Sequence, residues 1–286
     1  MLRKIYICKD REYEEYDWFC GQARQAGIDM AVIDKNALEH RGDVVDIEDA
    51  CERRTDMINT SEVLVITYTD DVSKMFDNNS GNRCIVGLGD GYRGSADYVI
   101  CNFDITLDYI HLIYDRYNNQ PHVVADTDKI IMREMTVDDL PQMYEMYDTL
   151  ADCPYIEALY EYDKEKEFTI NYINNMYRFF QYGLWLVFDK CTGKLIGRVG
   201  VENREIDGIT RQELGYLIRK DYQNRGYAHE ACMCAIRYAS EELGIQELFA
   251  CVHTDNIPSI TLAHKLRFEI YAENIQGMNI YHMALN

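Results

Sequence analysis

Gln223-Asn224-Arg225-Gly226-Tyr227-Ala228 stands directly ahead of YAHEACMCAIRYASEEL, whose apolar spacing reads as a long helix. A helix start leaves several amide N–H groups unpaired and carries the positive end of the helix dipole, so it attracts phosphate oxygens. Gly226 lets the backbone come close to such a group, and Ala228 keeps the first turn small. Arg225 adds a cation where a pyrophosphate would sit. Glycine turns are common wherever a strand meets a helix, so the rest of the chain has to decide what this one does.

The elements around this stretch are those of a chain with two α/β parts. With 286 residues, 47% apolar and 27% charged, the sequence is that of a soluble-type globular protein, long enough for two domains of about 100 to 200 residues. No apolar run approaches the roughly 20 residues that cross a bilayer, and MLRKIYICKDREYEEYDWF turns acidic before a signal-peptide core could form, so a cytoplasmic protein without a membrane partner is expected. Ten cysteines are scattered without a CxxC pair, which predicts reduced, mostly buried thiols and no metal site. A net charge of −20, with no run of basic residues in the sequence, excludes a nucleic-acid backbone and favours a cationic small molecule or basic peptide.

Residues 1–126 alternate short apolar runs with helical patterns: KIYIC, a helix through EEYDWFCGQARQAG, IDMAVI, a helix ending near Ile58, EVLVITY, a short helix at DDVSKMF, RCIVGLG, ADYVIC and a helix at LDYIHLIYDRY. That order predicts a small Rossmann-like, three-layer domain with a parallel sheet. NNQPHVVADTDK interrupts it with turn chemistry, and the second domain is placed at residues 127–286. There the order reads β-α-α-β-β-β-α-β-α-β-β. Thr136 and Asp139 form a capping-box signal for the first helix, an acidic helical region runs from Tyr155 to Tyr182, and CTGK joins two strands as a hairpin.

Two motifs in that second domain resemble the GNAT family of N-acetyltransferases. Residues 223–228 match its Q/R-x-x-G-x-G/A signature between a strand and a helix. NIPSITLAHKLRF is similar to its N-x-x-S-x-x-L-x-x-K-L-G-F element, with Arg267 where glycine is usual. The resemblance spans residues 129–286 and implies an α+β domain with a central mixed, mostly antiparallel sheet. It implies a transferase using acetyl-coenzyme A as its cofactor, with an amine as acceptor and a homodimer among the expected assemblies. Ser259 and GYAHEA look most like the branch that acetylates protein amino termini and related amines. By resemblance, the amides of Leu217, Ile218 and Arg219 hold the pantetheine arm. Gln223, Asn224, Arg225, Gly226, Tyr227 and Ala228 form the pyrophosphate loop, and Asn256 touches the arm.

An amine attacks a thioester only when neutral, so a proton acceptor is needed. The family's usual tyrosine position is Ala263 here, and a usual glutamate position is Cys251. The remaining candidates are Glu213, within the apolar strand QELGYLI and on the same face as Gly215, and His253 at a strand end. Glu213 acting through water is the expected base. Residues 152–168, DCPYIEALYEYDKEKEF, correspond to the part that covers the acceptor, either as an acidic, aromatic mouth for a cationic amine or as a solvated face. The missing tyrosine motivates a second reading, a regulatory protein that binds acyl-coenzyme A without turnover. The amino-terminal half weakly resembles a degenerate haloacid dehalogenase-like fold. Asp10 stands there without a second carboxylate, Asp70-Asp71 follow Thr69, and GLGDGYRG precedes no helix, so no phosphatase activity is expected.

Overall fold

The computed structural model describes residues 1–9, 11–32, 62–69 and 84–285. Contacts divide the chain into two units, Met1–Gln120 and Pro121–Asn286. In the first, β1 (Lys4–Cys8), β2 (Asp29–Val32), β3 (Val63–Thr67), β4 (Cys84–Leu88) and β5 (Tyr98–Ile100) form a sheet in the order β2-β1-β3-β4-β5, with every pairing parallel. Doubly wound α/β sheets share that order. VLVIT and CIVGL are buried at every position, which is why they read as continuous apolar runs rather than alternating ones. Among the described residues, helices α1 (Tyr16–Gln25) and α2 (Leu107–Tyr117) contribute to this core, where the Phe19 and Phe103 rings lie 5.4 Å apart. The expected helices ending near Ile58 and over residues 70–76 lie outside the described residues, as do Asp10, Asp70 and Asp71.

GLGDGYRG forms a turn closed by the Tyr92 amide on the Gly89 carbonyl, 3.0 Å. The Tyr92 ring occupies the space over Gly87, where a Cβ would come within 2.5 Å of it. The next element is β5, so no helix start follows to receive a phosphate.

The second unit contains β6 (Val123–Asp126), β7 (Ile130–Arg133), α3 (Leu140–Asp148), α4 (Tyr162–Tyr172), β8 (Leu184–Asp189), β9 (Leu195–Ile206), β10 (Ile209–Ile218), α5 (Tyr227–Glu241), β11 (Glu247–His253), α6 (Ile257–Lys265), β12 (Glu269–Ile275) and β13 (Met278–Ala284). Its eight-stranded sheet runs β12-β13-β11-β10-β9-β8-β7-β6, antiparallel throughout except between β10 and β11. From Ile130 onward the elements follow the expected order. The expected boundary after residue 126 falls later than the division at Gln120, because Val123–Asp126 pairs with β7 as the edge strand of this sheet.

The acidic region departs from its expected single helix. The Glu165 carboxylate turns back to accept the Tyr160 amide at 2.9 Å, so α4 begins only at Tyr162, and residues 173–180 continue it as a π-helical turn. The capping box of Thr136 and Asp139 is present on the single 3-10 turn Val137–Asp139 that leads into α3.

Register separates the two faces of the sheet. Leu214, Tyr216 and Ile218 lie opposite Val201, Val199 and Gly197, and this face packs on α5 through Ala231, Cys232 and Ala235. Glu213, Gly215 and Leu217 share the other face with Glu202, Gly200 and Arg198. That face meets α3 and α4, where Arg198 donates to the Tyr147 hydroxyl at 2.9 Å.

Candidate active site

Strands β10 and β11 are bridged only at Glu213 and Phe249, and beyond that point they part. The Arg219 amide donates to the Ile196 carbonyl at 2.8 Å. Alternation along the antiparallel ladder therefore turns the Leu217 amide toward β9 as well, and turns the amides of Tyr216 and Ile218 toward the parting with β11. Of the expected trio, the Ile218 amide therefore points to the parting, together with that of Tyr216, whereas the Leu217 and Arg219 amides point to β9. Arg219 is nearly buried and spends its side chain on Asp221, Nε to Oδ1 2.6 Å.

At the end of β10 the loop turns into α5. The Gln223 side chain donates to the Ile218 carbonyl at 2.8 Å and so fixes the loop's path. Asn224 and Gly226 both have left-handed backbones, φ 59° and 85°, which at 226 favours glycine. Among the described residues the amides of Arg225, Gly226, Tyr227 and Ala228 find no acceptor, and no side chain caps the helix. Such a row of outward N–H groups at a dipole's positive end is a ready anion site. The Tyr227 hydroxyl donates to Asp189 at 2.6 Å, which pushes its pKa up to about 12 and ties the first turn of α5 to the β8–β9 hairpin. Arg225 lies over the Tyr222 ring, 5.5 Å from its centre.

Gly226 also opens a groove lined by His229, Arg237, Lys129 and Lys265. Lys129, Lys265 and the α5 pair of His229 and Arg237 are far apart in sequence, so basic groups that do not cluster along the chain gather in space. Glu230 in the same groove is met by Lys129 at 3.6 Å and by Thr127 at 2.7 Å, which offsets its charge. The combination of unpaired amides, a backbone that approaches closely and gathered cations fits a nucleotide pyrophosphate. Asn256 caps α6 by accepting the Ser259 amide at 3.3 Å, at the strand end where β11 has parted from β10.

The expected bases are both engaged. Glu213 accepts from Arg204 at 3.1 Å through Oε2 and from the Cys251 amide at 3.1 Å through Oε1. It therefore pins β11 to β10 where they begin to part. His253 accepts the Asp255 amide at Nδ1, 3.2 Å, so the neutral ring carries its proton on Nε2 and presents no second lone pair. Its ring lies 5.1 Å from that of Tyr155, which brings the 152–161 segment over the strand end. Within residues 152–168 Glu165 is buried and accepts the Tyr160 amide, and Lys164 stands over the Tyr160 ring, so only part of the region's charge faces outward. Burial and the nearby Glu213 push the Cys251 thiol up to about 12, which keeps it protonated. The nine described cysteines are all free thiols, five of them buried.

The residue missed by sequence reading is Glu202. It stands opposite Glu213 and accepts the Tyr172 hydroxyl through Oε1 at 2.8 Å, while that hydroxyl accepts the Leu184 amide at 2.7 Å.

Residues 129–269 match the family model for the acetyltransferase (GNAT) domain. The uncharacterized protein YkkB of Bacillus subtilis is 29% identical over 156 residues, covering 54% of this chain and 88% of that protein. A Bacillus subtilis protein provisionally named a ribosomal N-acetyltransferase, YdaF, is 31% identical over 77 residues, 27% of this chain and 41% of its own. A solved structure from Bordetella pertussis, provisionally assigned as a GNAT-family acetyltransferase, shares the fold at TM-score 0.50 and 19% identity, covering 57% of this chain and 99% of that one. The matched range leaves Met1–Gln120 outside it, so the haloacid dehalogenase-like resemblance of that unit gains no support.

Proposed function

We propose that this chain, whose residues 129–269 match the family model for the acetyltransferase (GNAT) domain, is an acetyltransferase that moves an acetyl group from acetyl-coenzyme A directly onto a primary amine of a small molecule, a peptide or a protein. The observation that carries this reading is the row of acceptor-free amides from Arg225 to Ala228 beside the parting of β10 and β11. In this reading those amides and Gly226 hold the pyrophosphate, with His229, Arg237 and Lys265 beside it. The inward amides of Tyr216 and Ile218 and the α6 start at Asn256 orient the pantetheine arm. When bound, acetyl-coenzyme A supplies an activated thioester. The chain supplies position, exclusion of water and a place for the amine's proton.

The net charge of −20 favours a cationic acceptor. Ser259, GYAHEA and the name of YdaF put protein amino termini among the acceptors to be tried. The chain is read as cytoplasmic, and among the described residues no helix is long and apolar enough to cross a membrane. The second reading, a regulatory protein that binds acyl-coenzyme A, rests on Ala263, a buried residue without a hydroxyl where the family places a proton donor. Thiol release on mixing acetyl-coenzyme A with an amine panel separates the two. Amine-dependent release supports the transferase, and binding without release supports the regulator.

A further inference from the structure

We infer that Glu202 is the carboxylate that receives the acceptor's ammonium group and takes its proton. The inference rests on the acetyl-transfer reading and goes beyond it, because neither motif of the family contains this residue. Four carboxylate oxygens lie on this part of the sheet, two on Glu213 and two on Glu202. Both of Glu213's are filled, by Arg204 and by the Cys251 amide. Oε1 of Glu202 is filled by the Tyr172 hydroxyl. Oε2 of Glu202 has no partner among the described residues, and it lies 3.9 Å from the point where a side chain on Gly215 would begin. Gly215 is the first residue of the shared face beyond the Glu213–Phe249 bridge, and the open oxygen lies there beside the Leu184 side chain, which comes within 2.9 Å of the same point, at the start of the parting.

Tyr172 holds this oxygen in place. Its hydroxyl oxygen accepts the Leu184 amide, so its single proton points to Glu202. Burial holds the phenol well above its usual range, so it stays a donor and Glu202 stays the acceptor. Tyr177, the next ionisable group on that side, is likewise held as a phenol by burial. Across the ladder, Glu213 is offset by Arg204. Arg198, four residues along β9, faces Tyr147 and Tyr172. Glu134, which also acts on Tyr177, accepts the His122 amide, whereas Oε2 of Glu202 meets no partner among the described residues.

The step balances without a further reactant. One proton of the ammonium passes to Oε2. The freed nitrogen lone pair forms the C–N bond as the C–S bond breaks, and the second amine proton leaves with the thiol.

The test uses the full chain, acetyl-coenzyme A, and two probe amines of different basicity, cadaverine and an alanine-initiated peptide amide. Calorimetry without the cofactor should show Glu202→Gln binding the probes about tenfold more weakly, the loss of one charge-assisted hydrogen bond. Turnover at pH 7 should fall roughly 100-fold. The deficit should fade as pH rises through each probe's own pKa, about 8 for the peptide and about 10.4 for the alkylamine. A merely structural role would not make the recovery follow the acceptor. Acetyl-coenzyme A affinity should stay at the wild-type value. Tyr172→Phe should show a smaller deficit of the same pH form. Wild-type amine affinity and turnover in a folded Glu202→Gln protein would overturn the assignment and leave the acetyl-transfer reading standing. A wild-type chain that binds acetyl-coenzyme A and acetylates neither probe would overturn both.

Discussion

Glu213 on β10 and Glu202 on β9 stand opposite one another in register, yet Glu213 alone is offset by an arginine, with Arg204 3.1 Å from its Oε2. Two carboxylates on one face are thereby given different tasks by their neighbours. One holds two strands together at the point where they part, and the other keeps an open oxygen.

Glu213→Gln should consequently behave as a structural variant. The amide oxygen can still accept from Cys251, while the partly exposed pair with Arg204 is lost, at a cost of about 1 kcal/mol. Urea unfolding checks the stability, and turnover at pH 7 should stay close to wild type. A loss of roughly 100-fold would return the base to Glu213.

Gly226→Asp should weaken acetyl-coenzyme A binding far more than folding. The residue's φ of 85° strains any side chain, at about 1 kcal/mol. A carboxylate there also faces the four outward amides and the oxygens they would hold. Calorimetry on the folded variant reads the affinity, and an unchanged value would remove the loop from the cofactor site.

The geometry of the loop and the cap was legible in the sequence, and the parts that were not legible have definite physical causes. The loop at 223–228 and the cap at Asn256 carry their geometry in residue types, because glycine, a helix start and an Asn cap are local. The direction of the Leu217 and Arg219 amides depends on the phase of the β9–β10 ladder, which Arg219 and Ile196 set and no periodicity reveals. The Glu202 bond to Tyr172 spans 30 residues, and the Arg204 bond that engages Glu213 crosses a hairpin, so neither can be read from local pattern. VVAD was read as linker because four residues among Asn, Gln, Pro and Asp carry too little pattern to announce an edge strand. The basic residues of the groove come from three separate segments, Lys129 from the turn before β7, His229 and Arg237 from α5, and Lys265 from the end of α6.

Arg267→Gly should stabilise the chain. Arg267 takes the family's glycine position with a left-handed backbone, φ 69°, directly after α6. Relief of that strain, less the added freedom of glycine in the unfolded chain, should amount to about 0.5–1 kcal/mol. Thermal unfolding checks it, and a lower midpoint would show that the arginine side chain contributes more than its backbone costs.

Asp139→Asn should destabilise the second unit in a pH-dependent way. Burial alone would push this carboxyl upward, but the Arg133 guanidinium, 2.6 and 2.9 Å away, and the Thr136 amide outweigh it and hold it below the usual carboxylate range. A depressed folded pKa contributes stability that is present above the unfolded value of about 3.9 and is lost as pH falls through the folded one. The variant should therefore cost about 2 kcal/mol at pH 7, and the gap to wild type should narrow below about pH 4. Urea unfolding at both pH values reads this, and a gap that is constant with pH would contradict the pairing.

The most direct measurement of the whole account is the stoichiometry of transfer: free thiol and N-acetylated product counted together after the full chain is mixed with acetyl-coenzyme A and a panel of primary amines that includes peptides with free amino termini. The account predicts amine-dependent thiol release matched one for one by N-acetyl product, abolished together in Gly226→Asp. Tight binding of acetyl-coenzyme A with no amine-dependent thiol release would contradict it and leave the regulatory binder in its place.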